Sequence, residues 1–174
     1  MNQSFRQVAF FGAIIGLGVG AFLVFGLKKV EEQPRQEVDL VSAYTPPAVI
    51  KVDDILRGIS VYESSDTDHK VGAAGERGRY QMMEGTWYDR TDTPFSEAVN
   101  PQVSYQVATD HIDWIYNTLQ RDMGRAPLLD DILATYNGGI GAYRNAGFDV
   151  RRMTKSTQTY VEYVTNIIYD DMNL

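Results

Sequence analysis

Residues 58–86, GISVYESSDTDHKVGAAGERGRYQMMEGT, decide how the chain is read. An acid, Glu63, closes an apolar helical run, and a glycine-rich segment follows, Gly75-Glu76-Arg77-Gly78-Arg79-Tyr80-Gln81-Met82. Val52, Ile55, Leu56, Ile59 and Tyr62 recur at i, i+3, i+4 and i+7, the spacing of one face of an amphipathic helix over Val52–Glu63. Asp53 and Asp54 stand in its first turn, where carboxylates complement the helix dipole. Glu63 lies four residues past Ile59 and seven past Leu56, so it falls on the inward face. A carboxyl there is desolvated, which disfavours its charged form and raises its pKa. Such an acid keeps a proton near neutral pH and can hand it to a leaving group. The competing reading is a Glu at a fraying helix end, reaching water past Ser64 and Ser65.

Upstream the composition changes. Val8–Leu27, VAFFGAIIGLGVGAFLVFGL, is an uncharged run of 20 residues between Arg6 and Lys28-Lys29, the length of a hydrocarbon-spanning helix. A secretory signal would carry a shorter apolar core, about 7–15 residues, and a small-residue cleavage site after it. No such site follows, so the expectation is an uncleaved anchor in a lipid membrane. Gly12, Gly16 and Gly20 form two overlapping G-x-x-x-G steps, which suit self-association of the membrane helix, although glycine is common in such helices anyway. Arg6 precedes the span and Lys28, Lys29 and Arg35 follow it, so the positive-inside rule weakly directs the C-terminal part to the cytoplasm. Glu31–Pro47 is polar, carries Pro34, Pro46 and Pro47, and reads as a linker. The expected organisation is a tail over 1–7, a transmembrane helix over 8–27, a linker over 28–47 and one domain over 48–174, a normal size for a single core.

Asp and Glu number 23 against 16 Lys and Arg, a formal net charge of −7. That argues against a nucleic-acid partner, because phosphate attraction needs clustered cations. Cysteine is absent, which excludes disulfides, zinc–thiolate sites and thiol nucleophiles. His69 and His111 leave little for a histidine metal site, so neither metal nor cofactor is expected.

Downstream, loops fill Ser64–Thr86, and Gln81-Met82-Met83 reads as the start of a short helix carrying Thr86 and Trp87. Tyr88–Pro101 is a loop broken by Pro94 and Pro101. Val103, Val107, Trp114, Ile115 and Leu119 mark a helix over Gln102–Gln120, with His111 a satisfied core or surface histidine. Pro127 suits the first turn of the next helix, which puts Leu128, Ile132, Leu133 and Tyr136 on one face and ends at Asn137-Gly138-Gly139. A short turn over Gly141–Ala146 precedes a last helix over Thr157–Met172, with Tyr160, Val161, Val164, Ile167 and Ile168 inward. No stretch alternates enough for a large sheet. The class is mainly α.

Four segments in order resemble the lytic transglycosylases of the soluble-lytic-transglycosylase type, within the lysozyme-like superfamily. Glu63-Ser64 is similar to the Glu-Ser pair ending that family's catalytic helix. Residues 75–83, GERGRYQMM, are similar to its G-A-x-G-L-x-Q-I-M stretch. Ala134-Thr135-Tyr136-Asn137-Gly138-Gly139 resembles A-x-Y-N-A-G, and Tyr160-Val161-x-x-Val164 resembles Y-V-x-x-V. The departures are Glu76 in place of a small residue, Arg79 beside the Gln, and Glu84 in place of the usual Pro.

The resemblance implies a lysozyme-like helical domain with long loops, acting on peptidoglycan glycan strands. It implies that Glu63 protonates the β-1,4 bond between N-acetylmuramic acid and N-acetylglucosamine, then takes the muramoyl C6 hydroxyl proton to close a 1,6-anhydro ring. It further implies substrate-binding roles for Ser64, which would also orient Glu63, and for Gln81, Tyr136, Asn137 and Tyr160. Tyr136 and Tyr160 equally fit core positions, Asn137 a helix C-cap, and Gly75 and Gly78 serve backbone geometry. Two alternatives stand beside this. One is a lysozyme-type hydrolase with Asp66, Asp68 or Glu76 as second carboxylate, the other a non-enzymatic glycan-binding membrane protein. An anchor joined to a bare domain resembles the wall-penetrating enzymes of bacteriophage particles and of secretion or conjugation machines. The expected location is a bacterial inner membrane with a periplasmic domain, against the small positive-inside bias, or the membrane of a phage virion, which removes that conflict.

Overall fold

The computed structural model describes residues 49–173. The transmembrane helix expected over 8–27 and the linker over 28–47 lie outside the described residues, among which no helix is long and apolar enough to cross a membrane.

The described chain is helical. Its α-helices are α1 (Val52–Ser64), α2 (Glu84–Tyr88), α3 (Pro101–Met123), α4 (Leu129–Gly138), α5 (Ile140–Asn145) and α6 (Lys155–Met172), with 3-10 turns at Phe95–Val99 and Val150–Arg152. α6 packs on α1 and α4, and α3 on α1 and α4, so α1 and α4 meet shared neighbours on both sides. The core draws Leu56 and Ile59 from α1, Ile112, Ile115 and Leu119 from α3, Leu133 from α4, and Tyr160, Val164 and Ile168 from α6. All but Ile112 stand on the faces that the helical period predicts, while Val103, Trp114 and Ile167, expected inward, are half-buried.

α1 and α6 lie close because Gly58 faces α6: a Cβ at Gly58 would come within 2.5 Å of Ile168 Cγ1. Asp54 caps α1, its carboxylate accepting from the Lys51 N–H at 2.8 Å. α3 starts one residue earlier than expected because Pro101 initiates it rather than breaking the loop. Asn100 Oδ1 accepts from the Gln102 and Val103 N–H groups at 3.1 and 3.4 Å, and proline fits a first-turn position that has no partner for an N–H.

Other expectations shift for physical reasons. Tyr62 is 41% exposed, on the shoulder of the α1 stripe, with its ring edge-on to Tyr160 at 4.9 Å. Leu128 is 65% exposed because it precedes α4, where its N–H donates to the Asp131 carboxylate at 2.7 Å. Gln81-Met82-Met83 is not helical. Met82 pairs with Arg77 in an isolated β-bridge, a second links Val71 and Arg77, and α2 begins only at Glu84.

Candidate active site

Glu63 sits in the last turn of α1, where the helix delivers it to a cleft of about 210 Å³. Glu76, Gln81, Met82, Met83, Thr86, His111, Tyr136 and Asn137 line the same cleft. Five separate stretches of chain therefore meet there.

The glycine-rich loop reaches the cleft by backbone geometry. Gly78 has φ +78°, and a Cβ there would lie 1.9 Å from the Ala98 carbonyl oxygen, so both conformation and space demand glycine. Its N–H donates to the Lys70 carbonyl at 2.9 Å, and its own carbonyl accepts from Gln81 Nε2 at 2.8 Å. Gln81 Nε2 also donates to the Lys70 carbonyl at 3.1 Å, and the residue takes φ +46° to do so. With the amide nitrogen engaged, Oε1 is the free acceptor of Gln81. Gly72 provides room beside it. A Cβ at Gly72 would fall 2.1 Å from Glu76 Oε2 and 2.9 Å from Gln81 Oε1, so a side chain at 72 would displace both. Glu76 Oε2 accepts from the Ala74 N–H at 3.0 Å.

The electrostatics shift Glu63 toward its protonated form. Burial raises its pKa above the usual carboxyl range, and the charge of Glu76 adds to the rise; Lys70 and Tyr160 pull the other way. The Lys70 ammonium donates to the backbone carbonyl of Glu63. Tyr160 is 1% exposed, and its hydroxyl lies against the Glu63 carboxyl without completing a well-formed hydrogen bond to any described residue. Burial pushes the Tyr160 and Tyr136 hydroxyls well above their ordinary range, so both stay neutral. Tyr136 Oη donates to the Tyr80 carbonyl at 2.7 Å, which pins α4 to the glycine-rich loop.

The expected residues therefore separate. Glu63, Gln81, Tyr136 and Asn137 share the cleft, and Tyr160 backs Glu63 from the core. Asn137 is not a C-cap: α4 runs to Gly138, and Gly139, φ +82°, caps it. Ser64, expected to contact substrate and orient Glu63, is not among the residues that line the cleft. It is 5% exposed, its Oγ donates to the Ser60 carbonyl and accepts from the Thr67 N–H, both at 3.0 Å, and so it turns the chain after α1. Asp66 and Asp68 are likewise taken up: Arg79 bridges them at 2.7 and 2.8 Å, fastening the loop. Sequence reasoning passed over His111 in the cleft wall and the space left by Gly72. Among the described residues no group of three or more His, Asp or Glu side chains is placed to hold a metal ion.

No protein-family model matches the sequence, and no curated protein matches it. Among solved structures, an inactive mutant of the lytic transglycosylase Slt from Pseudomonas aeruginosa superposes with a TM-score of 0.58 at 16% identity. The chain has a lytic-transglycosylase-like fold. The likeness covers 69% of this chain and 22% of that one, so this chain spans about a fifth of that protein's length.

Proposed function

We propose that the chain is a peptidoglycan lytic transglycosylase with Glu63 as both acid and base. The observation that carries this reading is the placement of Glu63. It closes α1 in a cleft shared with Gln81, Tyr136 and Asn137, its pKa raised by burial. Glu63 gives its proton to the oxygen of the β-1,4 bond between N-acetylmuramic acid and N-acetylglucosamine. The C1–O bond breaks, and positive charge builds at C1. The Glu63 carboxylate then takes the C6 hydroxyl proton as that oxygen bonds to C1, closing the 1,6-anhydro ring and restoring the acid. Water is not consumed. Glu76, in the same cleft, adds negative charge near the developing cation. Gln81 Oε1 and the Asn137 amide supply hydrogen bonds to the sugars.

The second reading is hydrolysis, with Glu76 as the second carboxylate, favoured by its presence beside Glu63. Asp66 and Asp68 are unsuited to that role because Arg79 holds them. Mass spectrometry of purified peptidoglycan digested by the full chain, with Glu63→Gln alongside, separates the readings. Transglycosylation leaves 1,6-anhydromuramoyl ends and hydrolysis leaves reducing ends. Digestion by Glu63→Gln at the wild-type rate removes Glu63 from both mechanisms, whereas a wild-type chain that binds peptidoglycan without digesting it leaves a non-enzymatic glycan-binding protein.

The proposal includes anchorage through Val8–Leu27, with self-association along Gly12, Gly16 and Gly20. The membrane would be a bacterial inner membrane with the domain in the periplasm, or that of a phage virion, and the task local wall opening. Release of the full chain by alkaline carbonate would remove this part.

A further inference from the structure

His111 faces the cleft from α3 with 9% of its surface exposed. Its ring stacks on Trp114 (centroids 5.7 Å, 10° between planes) and meets Tyr136 at 5.6 Å and 56°. The Arg90 guanidinium lies over the Trp114 ring, 4.3 Å from its centroid. His111 Nδ1 is sealed from solvent and has no hydrogen-bond partner among the described residues. A histidine kept for packing normally has its buried nitrogens satisfied, and where none is available an apolar ring packs at lower cost.

We infer that His111 is a substrate-binding residue, a neutral imidazole whose Nε2–H donates to an acceptor oxygen of an N-acetylated sugar held beside Glu63. The tautomer follows from the surroundings. A proton on Nδ1 would face no acceptor, so the ring carries it on Nε2, the nitrogen left for the cleft. Burial disfavours the imidazolium, and the Arg90 charge adds to this while Asp89 opposes it, so the pKa falls to about 4. Neutrality has a consequence for the neighbouring acid. A cationic His111 in the same cleft would stabilise the Glu63 carboxylate and lower its pKa, whereas a neutral donor binds sugar and leaves the proton in place.

The inference rests on the glycan reading, and its test has one arm independent of activity. His69 and His111 are the chain's two histidines, and exposed His69 gives the reference signal. Long-range 15N–1H spectra of the full chain at about pH 6 should show His111 neutral with its proton on Nε2. In Glu63→Gln, added chito-oligosaccharide should shift the His111 Nε2 resonance and leave His69 in place. In peptidoglycan digestion, His111→Phe should raise KM about tenfold with kcat little changed, and His111→Gln, which restores a donor, should recover most of the loss. A proton on Nδ1, a charged ring, or a static His111 while oligosaccharide moves the Asn137 amide would each overturn the inference alone. If no resonance responds to oligosaccharide and the unaltered chain digests no peptidoglycan, the glycan reading falls and takes this one with it. Should His111→Phe fail to fold, the spectra of the unaltered ring decide.

Discussion

Glu63 and Asp131 are both shielded carboxyls on helices, and the protein treats them in opposite ways. Asp131, on α4 and 4% exposed, accepts from Arg125 at 2.7 and 3.2 Å, from the Tyr143 hydroxyl at 2.6 Å and from the Leu128 N–H at 2.7 Å. Burial alone would raise its pKa, but these donors outweigh burial and hold the carboxyl below its usual range. Glu63 has no comparable set. Lys70 spends its ammonium on the backbone carbonyl, Tyr160 stops short of a full hydrogen bond, and burial prevails. The number of donors, more than depth, decides which carboxyl has its pKa lowered and which has it raised. A saturated carboxylate has no lone pair left for a substrate.

The largest expected effect is on chemistry at the unsaturated one. Glu63→Gln should lower the rate of peptidoglycan cleavage by roughly 10²–10⁴, the usual contribution of a positioned acid–base group, with the fold intact by circular dichroism. The contrast fails if Asp131→Ala loses as much rate while keeping its stability. Instead, Asp131→Ala should lower the free energy of unfolding by about 3 kcal/mol in denaturant titrations, because Tyr143 and the Leu128 N–H lose their shared acceptor. The pH dependence has a definite sign. The native pKa of Asp131 is depressed, so its contribution is present above about pH 4, the unfolded value, and disappears as pH falls through the lower native one. The variant should accordingly lose less stability than wild type across that acid range.

Much of this architecture is visible in the order of residues, and what is hidden has a common cause. The periods of α1 and α6 place Leu56, Ile59, Val164 and Ile168 in the core, and Glu63 on the same side, because helix geometry is local. The glycines at 75 and 78 are legible for the same reason: both take positive φ. Long-range pairings are not legible. Gln81-Met82-Met83 looks helical until Arg77 pairs with Met82 across the turn. Ser64 looks like a cleft residue until Thr67 folds back on its hydroxyl. His111 looks like an ordinary core histidine, since nothing near it in sequence shows that Tyr136 will meet its ring or that Arg90 will lie over its neighbour Trp114.

Glu63 also sharpens the comparison through stability. Its native pKa is raised above the unfolded value of about 4.3, so ionising it works against the fold as pH rises through the native pKa. Glu63→Gln removes the cost of ionising a desolvated carboxyl and should raise Tm at pH 7 by a few degrees, corresponding to about 1 kcal/mol for a domain of this size. That gain should vanish near pH 3, where the wild-type carboxyl is already neutral. Asp131→Ala should show a change of opposite sign at pH 7.

The smallest effect concerns Tyr160, the group that distinguishes a poised Glu63 from a satisfied one. Its hydroxyl lacks a completed hydrogen bond, so Tyr160→Phe should change unfolding stability by less than about 0.5 kcal/mol, with the ring still filling its place beside Tyr62. The hydroxyl nevertheless draws the Glu63 pKa downward. Removing it should move the alkaline limb of the rate–pH profile, where the acid loses its proton, to higher pH, with KM unaltered. A stability loss of 1–3 kcal/mol, the usual result of orphaning a buried partner, would mean that Tyr160 donates a full hydrogen bond to Glu63. Glu63 would then resemble Asp131, held as an anion, and the acid role would need another owner in the cleft.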